Sequence, residues 1–267
     1  MTASALVLAP AVQPLDLVEL AFRFGHFAAG VLWIGLLWFL SWIHAPFVAS
    51  LAPEARRAVV PAFAPRVFFW LRWAALLSWL SGTALLFLVY YAPSSGYLMA
   101  RGAEPDAARW MPAFFGMAAG FFVYDALCRL PRGLAVVSGL AWGACVVGFA
   151  WALHGLAGFS ARGTYAHVAA LLGTVMAGNV WMRIWPAQER MLAALADGAP
   201  PDLDELERAG QRARHGTLMS FAVLLLMIGV GQVGLFRFDV VPTVAGVLAL
   251  SYGLALALFA TAPRVGG

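Results

Sequence analysis

Long apolar runs separated by short polar gaps recur along this chain, and each run is long enough to cross a lipid bilayer. Seven are read: Leu17 to Val48, Val67 to Tyr91, Met111 to Leu130, Leu134 to Phe159, Thr164 to Trp185, Gly216 to Leu235 and Val240 to Thr261. Roughly 20 residues rising about 1.5 Å each match a hydrocarbon core of about 30 Å. Lipid offers no hydrogen-bond partner, so each run must satisfy its own backbone as a helix, and seven strands of this apolarity do not close a barrel. The pattern predicts an all-α, polytopic membrane bundle of about seven transmembrane helices. The first run exceeds a minimal span, so it is expected to tilt or to reach into water at one end.

Composition agrees: 63% of the 267 residues are hydrophobic and only 11% charged, which a soluble domain of this length does not show. All seventeen fixed cations are arginines. Arg56, Arg57 and Arg66, then Arg129 and Arg132, then Arg190, Arg208, Arg212 and Arg214 fall after the first, third and fifth helices, with Arg183 just inside the fifth. The opposite side is poorer, with Arg23, Arg101, Arg109, Arg162 and Arg237. The positive-inside rule then places the amino terminus outside and the carboxyl terminus, with Arg264, in the cytoplasm of a bacterial inner membrane. The net charge of +4 thus reports topology, and nothing supports a nucleic-acid partner.

Residues 1–16 read as a short extracytoplasmic tail without a basic n-region, so the first helix is expected to act as a signal anchor. Residues 17–267 read as one transmembrane domain. Its longest polar gap, about 186–214, is expected to form a cytoplasmic helical hairpin that breaks at Asp197, Gly198, Pro200 and Pro201 and restarts at Asp202, with Glu205 at capping-box spacing. Small residues four or seven apart offer close-packing faces: Gly116 and Gly120, Gly139 and Gly143, Ala169, Gly173 and Ala177, and Gly246 with Gly253 and Ala257. Cys128 and Cys145 fall in helices and read as packing residues, and no CxxCH sequence exists to attach a c-type haem. Trp70, Trp73, Tyr90, Tyr91 and Trp185 read as interfacial anchors.

Polar residues at membrane depth carry the chemistry. His26, His154 and His167 fall at the outer level of three helices, and neutral imidazoles on facing helices, flanked by Gly25, Ala29, Gly30, Ala169 and Gly173, permit a b-type haem held by His26 and His167 or by one of them with His154. Equally, such histidines can simply hydrogen-bond to nearby backbone. An inner layer holds His44, Arg72, Asp125, Asn179, Arg183 and His215. A carboxylate at Asp125 is expected to pair with a cation or to become neutral, and Arg72 or Arg183 can supply the partner. That layer reads as a second haem, a proton path or a small-anion pocket, or as an ion pair that ties helices together. His26 and His44 lie 18 helical steps apart, about 27 Å, and cannot share a site.

The segment from Phe159 to Met191, FSARGTYAHVAALLGTVMAGNVWMRIWPAQERM, resembles the membrane part of the bacterial membrane-bound urate hydroxylases, the urate oxidase N-terminal family. HFAAGVLWIG from His26, WLSGTALLFLVYY from Trp79 and VYDALCR from Val123 are similar to that family's first three helices, in order, and the likeness runs to about Met227. The resemblance implies an inner-membrane oxidoreductase that hydroxylates urate and sends electrons to a c-type cytochrome domain fused after an eighth helix. Here seven helices are read and no haem-attachment motif, so the resemblance implies a separate periplasmic cytochrome as acceptor. Arg212 and His215 match the family's pattern at helix six, whereas its following Asn-Asn-Tyr and later Asn-His-Tyr-Pro elements are replaced by Gly216, Thr217, Leu218 and by Gly229, Val230, Gly231.

Two functional expectations follow. In one, the chain is a redox membrane protein that binds haem b and urate, a planar anion suited to Arg162 or to Arg72 and Arg183 beside aromatic faces. In the other, it is a small-molecule permease or a non-catalytic accessory subunit built on a degenerate copy of the same fold. No flavin or dinucleotide fingerprint is present.

Overall fold

The computed structural model describes residues 13–92, 96–100 and 103–262, so the tail to position 12, Arg101, Arg264 and the side chain of Arg132 lie outside the described residues. Seven helices are described: α1 Pro14–Ser50, α2 Pro53–Tyr91, α3 Ala107–Leu127, α4 Ala135–Leu156, α5 Ala161–Ala196, α6 Leu203–Gly229 and α7 Val240–Thr261. Six of them are long and apolar enough to cross a membrane.

The exception is α6. The apolar run read from Gly216 to Leu235 breaks after Gly229, leaving an apolar half of about 21 Å, short of the hydrocarbon thickness. Glycine is a poor helix former, and Gly229, Gly231 and Gly234 fall together where the chain turns into the short 3-10 helix Val233–Arg237. In the other direction α2 starts earlier than its apolar run. Pro61 and Pro65 lie inside it, because proline removes one N–H but holds a helix-compatible φ.

α5 is the hub of the bundle. More than half (56%) of its most apolar window is buried, against 17–33% in the other five spans, and it touches α2, α3, α4, α6 and α7. Small side chains permit this approach. At Gly178 a Cβ would stand 2.5 Å from the Phe121 ring of α3, and at Gly120 one would meet Leu171 of α5. The stripes on α4 and α7 are different: Gly139, Gly143, Gly246 and Gly253 have nothing within 4 Å of an added Cβ, so they do not form the close-packed faces that their spacing predicts. Hydrogen bonds complete the packing. Trp38 Nε1 donates to Ser220 Oγ at 2.8 Å, Ser41 and Thr217 share a 2.7 Å contact, and Trp79 Nε1 donates to Thr174 Oγ1 at 3.1 Å.

Four helices carry a π-helical turn: Leu40–His44, Leu86–Tyr91, Ala152–Leu156 and Val180–Ile184. Such turns insert one residue and re-aim the side chains that follow. Here they hold His44, Tyr90 and Tyr91, His154, and Arg183. Between α5 and α6 the chain reverses at Gly198, whose φ of +69° is in the left-handed region that favours glycine. Asp202 Oδ1 accepts the Glu205 N–H at 3.0 Å and caps α6. The Glu205 carboxylate does not close the capping box but pairs with Arg190 on α5, whose guanidinium holds that carboxyl below the usual range.

At one end of the bundle, residues 96–100 are stitched to the turn between α4 and α5. Ser160 N–H donates to the Leu98 carbonyl at 2.8 Å, and Ala100 N–H donates to that of Gly158 at 2.9 Å. A Cβ on Gly163 would sit 2.5 Å from the Leu98 carbonyl oxygen. Gly163→Ala is therefore expected to lower stability by about 1–3 kcal/mol. Gly139→Ala, in open space on α4, is expected to leave stability equal or raise it by about 0.5–1 kcal/mol. Thermal unfolding in detergent checks both.

Candidate functional site

Two polar centres occupy opposite ends of the bundle. The first lies where α2 ends and α5 begins. His167, fully buried on α5, has a Nδ1–H that donates to the Gly163 carbonyl at 2.7 Å, which fixes the tautomer and makes Nε2 an acceptor. The Tyr91 hydroxyl supplies that Nε2 with a proton at 2.8 Å. Tyr91 is therefore a hydrogen-bond partner at the centre of this end rather than an interfacial anchor. Its ring stacks on Trp110 at 4.3 Å, and Phe159 and Tyr90 pack edge-on to the imidazole. His154, in the π turn of α4, donates from Nδ1 to the Phe159 carbonyl at 2.9 Å. Phe159 thus separates His154 from His167.

His26 is elsewhere. Its Nδ1–H donates to the Ser78 carbonyl at 2.8 Å, with Ser81 Oγ 3.4 Å away, and its ring lies so close to Gly82 that an added Cβ would stand 2.7 Å from Cε1. Gly82 precedes Tyr91 by nine residues, about 13 Å along α2. The structure therefore does not bring His26, His154 and His167 around one space. His26 has the bonding of a ligand, with Nε2 left free, but the His167 lone pair is already taken by Tyr91. These residues do not fit a haem gripped between His26 and His167.

What this end does form is an open cavity of about 550 Å³ lined by Tyr97, His154, Ser160, Arg162, Phe236, Arg237 and the Asp239 carboxylate. The Arg162 guanidinium lies 4.1 Å over the Tyr97 ring, its Nε is buried without a partner, and it hydrogen-bonds to Tyr90. Tyr90 and Tyr91 end the family-like segment WLSGTALLFLVYY, which gives them no role by itself, and Tyr97 carries no motif; nearness to Arg162 and His167 across the fold marks all three.

The second centre is built on Asp125, near the far end of α3 and 4% exposed. Arg183 grips its two oxygens as a fork, Nε to Oδ1 at 2.8 Å and Nη2 to Oδ2 at 2.6 Å. Arg129, in the turn just after α3, donates to Oδ2 at 2.7 Å, and Arg212 of α6 donates to Oδ1 at 2.9 Å. Arg183 is thus the expected partner and Arg72 is not. Asn179 lies against Arg212, with Oδ1 at 3.5 Å and Nδ2 buried without a partner. His215 Nδ1 meets the Tyr124 hydroxyl at 2.9 Å and Cys128 Sγ at 3.8 Å, so Cys128 adjoins this polar centre. His44 stands apart, its ring stacked on Phe63 at 4.5 Å and its Nε2 buried without a partner.

One carboxylate facing three guanidiniums ties α3, α5 and α6 together. Removing its charge strands Arg212, which is 7% exposed. Asp125→Asn is therefore expected to cost about 3–5 kcal/mol. Arg129→Ala, whose side chain is 68% exposed, is expected to cost less than about 1 kcal/mol. Unfolding of the two variants beside the parent protein measures the difference.

No curated protein and no solved structure matches the chain. A family model described as urate oxidase N-terminal matches residues 50–236, which takes in α2 to α6, the Asp125 centre and His154, Arg162 and His167, but leaves Arg237 and Asp239 of the cavity, and His26 and His44 of α1, outside the matched span. With well over half of its length matched, the chain belongs to the urate oxidase N-terminal family.

Proposed function

We propose that this chain is an inner-membrane oxidoreductase that binds urate, or a closely similar planar purine anion, in the Arg162 cavity at an outward-facing end of the bundle. The observation that carries the reading is Arg162 itself. It lies over the Tyr97 ring at 4.1 Å with a buried, unpaired Nε and lines a cavity where two guanidiniums, Arg162 and Arg237, outnumber the one carboxylate, Asp239, which suits an anion. Urate is planar and carries one negative charge near neutral pH, so a fork of N–H donors and an aromatic face suit it. Family membership supports the same substrate class.

In this reading Arg162 orients the ring and carries its charge, and Tyr97 and Phe236 bound its faces. His154 Nδ1 is committed to the Phe159 carbonyl, so Nε2 is the nitrogen left to take a proton. The reaction is a two-electron oxidation. The oxygen of water bonds to a ring carbon, two protons leave to His154 and solvent, and two electrons pass singly to a separate c-type cytochrome docked at the mouth of the cavity. No step runs through haem in the protein itself. His167 and Tyr91 form the dry floor behind Arg162 and hold Tyr90, its hydrogen-bond partner, in place.

Titration of purified protein with urate by calorimetry tests binding apart from turnover. Arg162→Ala is expected to weaken urate about tenfold to a hundredfold, the loss of hydrogen bonds to a charged group. His154→Gln is expected to bind urate normally and to lose most of the urate-dependent reduction of added cytochrome c. Equal urate affinity in the parent protein and Arg162→Ala would contradict the assignment.

A further inference from the structure

Arg72 belongs to neither centre. It lies on α2 inside a membrane span and makes no ion pair among the described residues. Its guanidinium carbon is 4.1 Å over the Trp185 ring and 5.8–6.0 Å from Phe69, Trp73 and Trp181. Its Nε is buried without a hydrogen-bond partner. Aromatic faces attract a guanidinium but provide no acceptor for its N–H groups, so the box is electrostatically incomplete.

A second, independent feature adjoins it. Between α1 and α2 runs a groove of about 530 Å³ whose walls include Gly25, Ala28 and Ala29 on one side and Trp73, Ala74 and Leu77 on the other. Small residues on α1 open it, and a Cβ added at Gly25 would touch nothing within 4 Å. Ser81 is its one polar side chain, at the end far from Arg72. Trp73 is common to both features, lining the groove with one part of its surface and flanking Arg72 with another. Along α2 the groove runs from Trp70 to Ser81, about 16 Å, or half of a hydrocarbon core of about 30 Å. Trp70, 57% exposed, and Leu77, 55% exposed, keep it open to the surroundings of the bundle.

Depth identifies the occupant. From Tyr91, at one end of α2, back to Arg72 is 19 residues, about 28 Å, so Arg72 stands near the membrane surface opposite the Arg162 cavity. Lipid phosphates lie at that level. We propose that Arg72 and the α1–α2 groove form a binding site for one anionic phospholipid, with its phosphate on the Arg72 guanidinium and one acyl chain along the groove beside Trp73. The guanidinium fork matches phosphate oxygens, and the groove recognises the chain through its length and apolarity. Free phosphate lacks the chain, and a zwitterionic lipid has no net charge to offset that of Arg72.

Native mass spectrometry of the full chain, together with thermal unfolding in mild detergent, tests this with three added probes: phosphatidylglycerol, phosphatidylcholine and inorganic phosphate. The parent protein is expected to retain one phosphatidylglycerol and to unfold at a higher temperature with it, and to do neither with the other two. Arg72→Leu is expected to weaken retention about tenfold or more, as for a lost hydrogen bond to a charged group. Ala28→Phe, which fills the groove and leaves Arg72 in place, is expected to do the same and guards against a folding defect in the first variant. Equal retention of phosphatidylcholine would make the groove an unselective lipid contact. A thermal shift from phosphate alone equal to that from the lipid would make Arg72 a free-anion site. Undiminished phosphatidylglycerol retention by both variants would likewise overturn the proposal.

Discussion

A polar side chain drawn out of water must find its partner inside the protein, and the pairing of Asp125 with three arginines is where this bundle meets that demand most fully. Alone, the carboxylate at the edge of an apolar span would be costly. With Arg183 from α5, Arg212 from α6 and Arg129 from the turn after its own helix it becomes a junction that fixes which helices are neighbours and at what height. The three cations outnumber the one anion, so the surplus charge must reach water. Arg129 and Arg183 do so with side chains 68% and 38% exposed, while Arg212 stays inside.

That junction sets α5, and α5 sets the other end. With its far half held by Asp125, its near half carries His167 into the centre of the bundle and places Arg162 one turn earlier, at the cavity. The loop at 96–100 closes over Gly163 and brings Tyr97 under Arg162. The two ends divide the work: the Asp125 carboxylate has every oxygen taken by an arginine, although Asn179 Nδ2 beside it is unpaired, and it reads as architecture, whereas the Arg162 end has an unpaired Nε beside an open cavity.

Most of the helix count was legible because hydropathy is a one-dimensional signal that lipid enforces. The α5–α6 reversal was legible too, since Gly198 and the Asp202 cap announce it locally. The π turns were not, because one inserted residue changes where a side chain points without changing the apolar pattern. Depth was equally hidden: position along each apolar run placed His26 level with His167, whereas His26 rests on Gly82, nine residues short of Tyr91. Charge alone made a cation partner for Asp125 legible and offered Arg72 or Arg183 without choosing between them; the structure takes Arg183. Arg129 and Arg212 were hidden because arginines near helix ends already had an explanation in topology, and Tyr91 because a tyrosine at a helix end reads as an anchor. Spacing i, i+4 between Asp125 and Arg129 was the signal available for the first of these. For Tyr91 the family-like segment WLSGTALLFLVYY was the signal available, but it names no partner.

Loss of the glycine stripes on α4 and α7 as packing faces follows the same logic. Small residues permit close approach but do not demand it, and those faces are open in this chain. The most direct test of the account is an electron cryomicroscopy map of the protein in a lipid nanodisc with saturating urate. The account predicts planar density between Arg162 and Tyr97, beside His154. Density instead among Asp125, Arg183 and Arg212, with the Arg162 cavity empty, would contradict it.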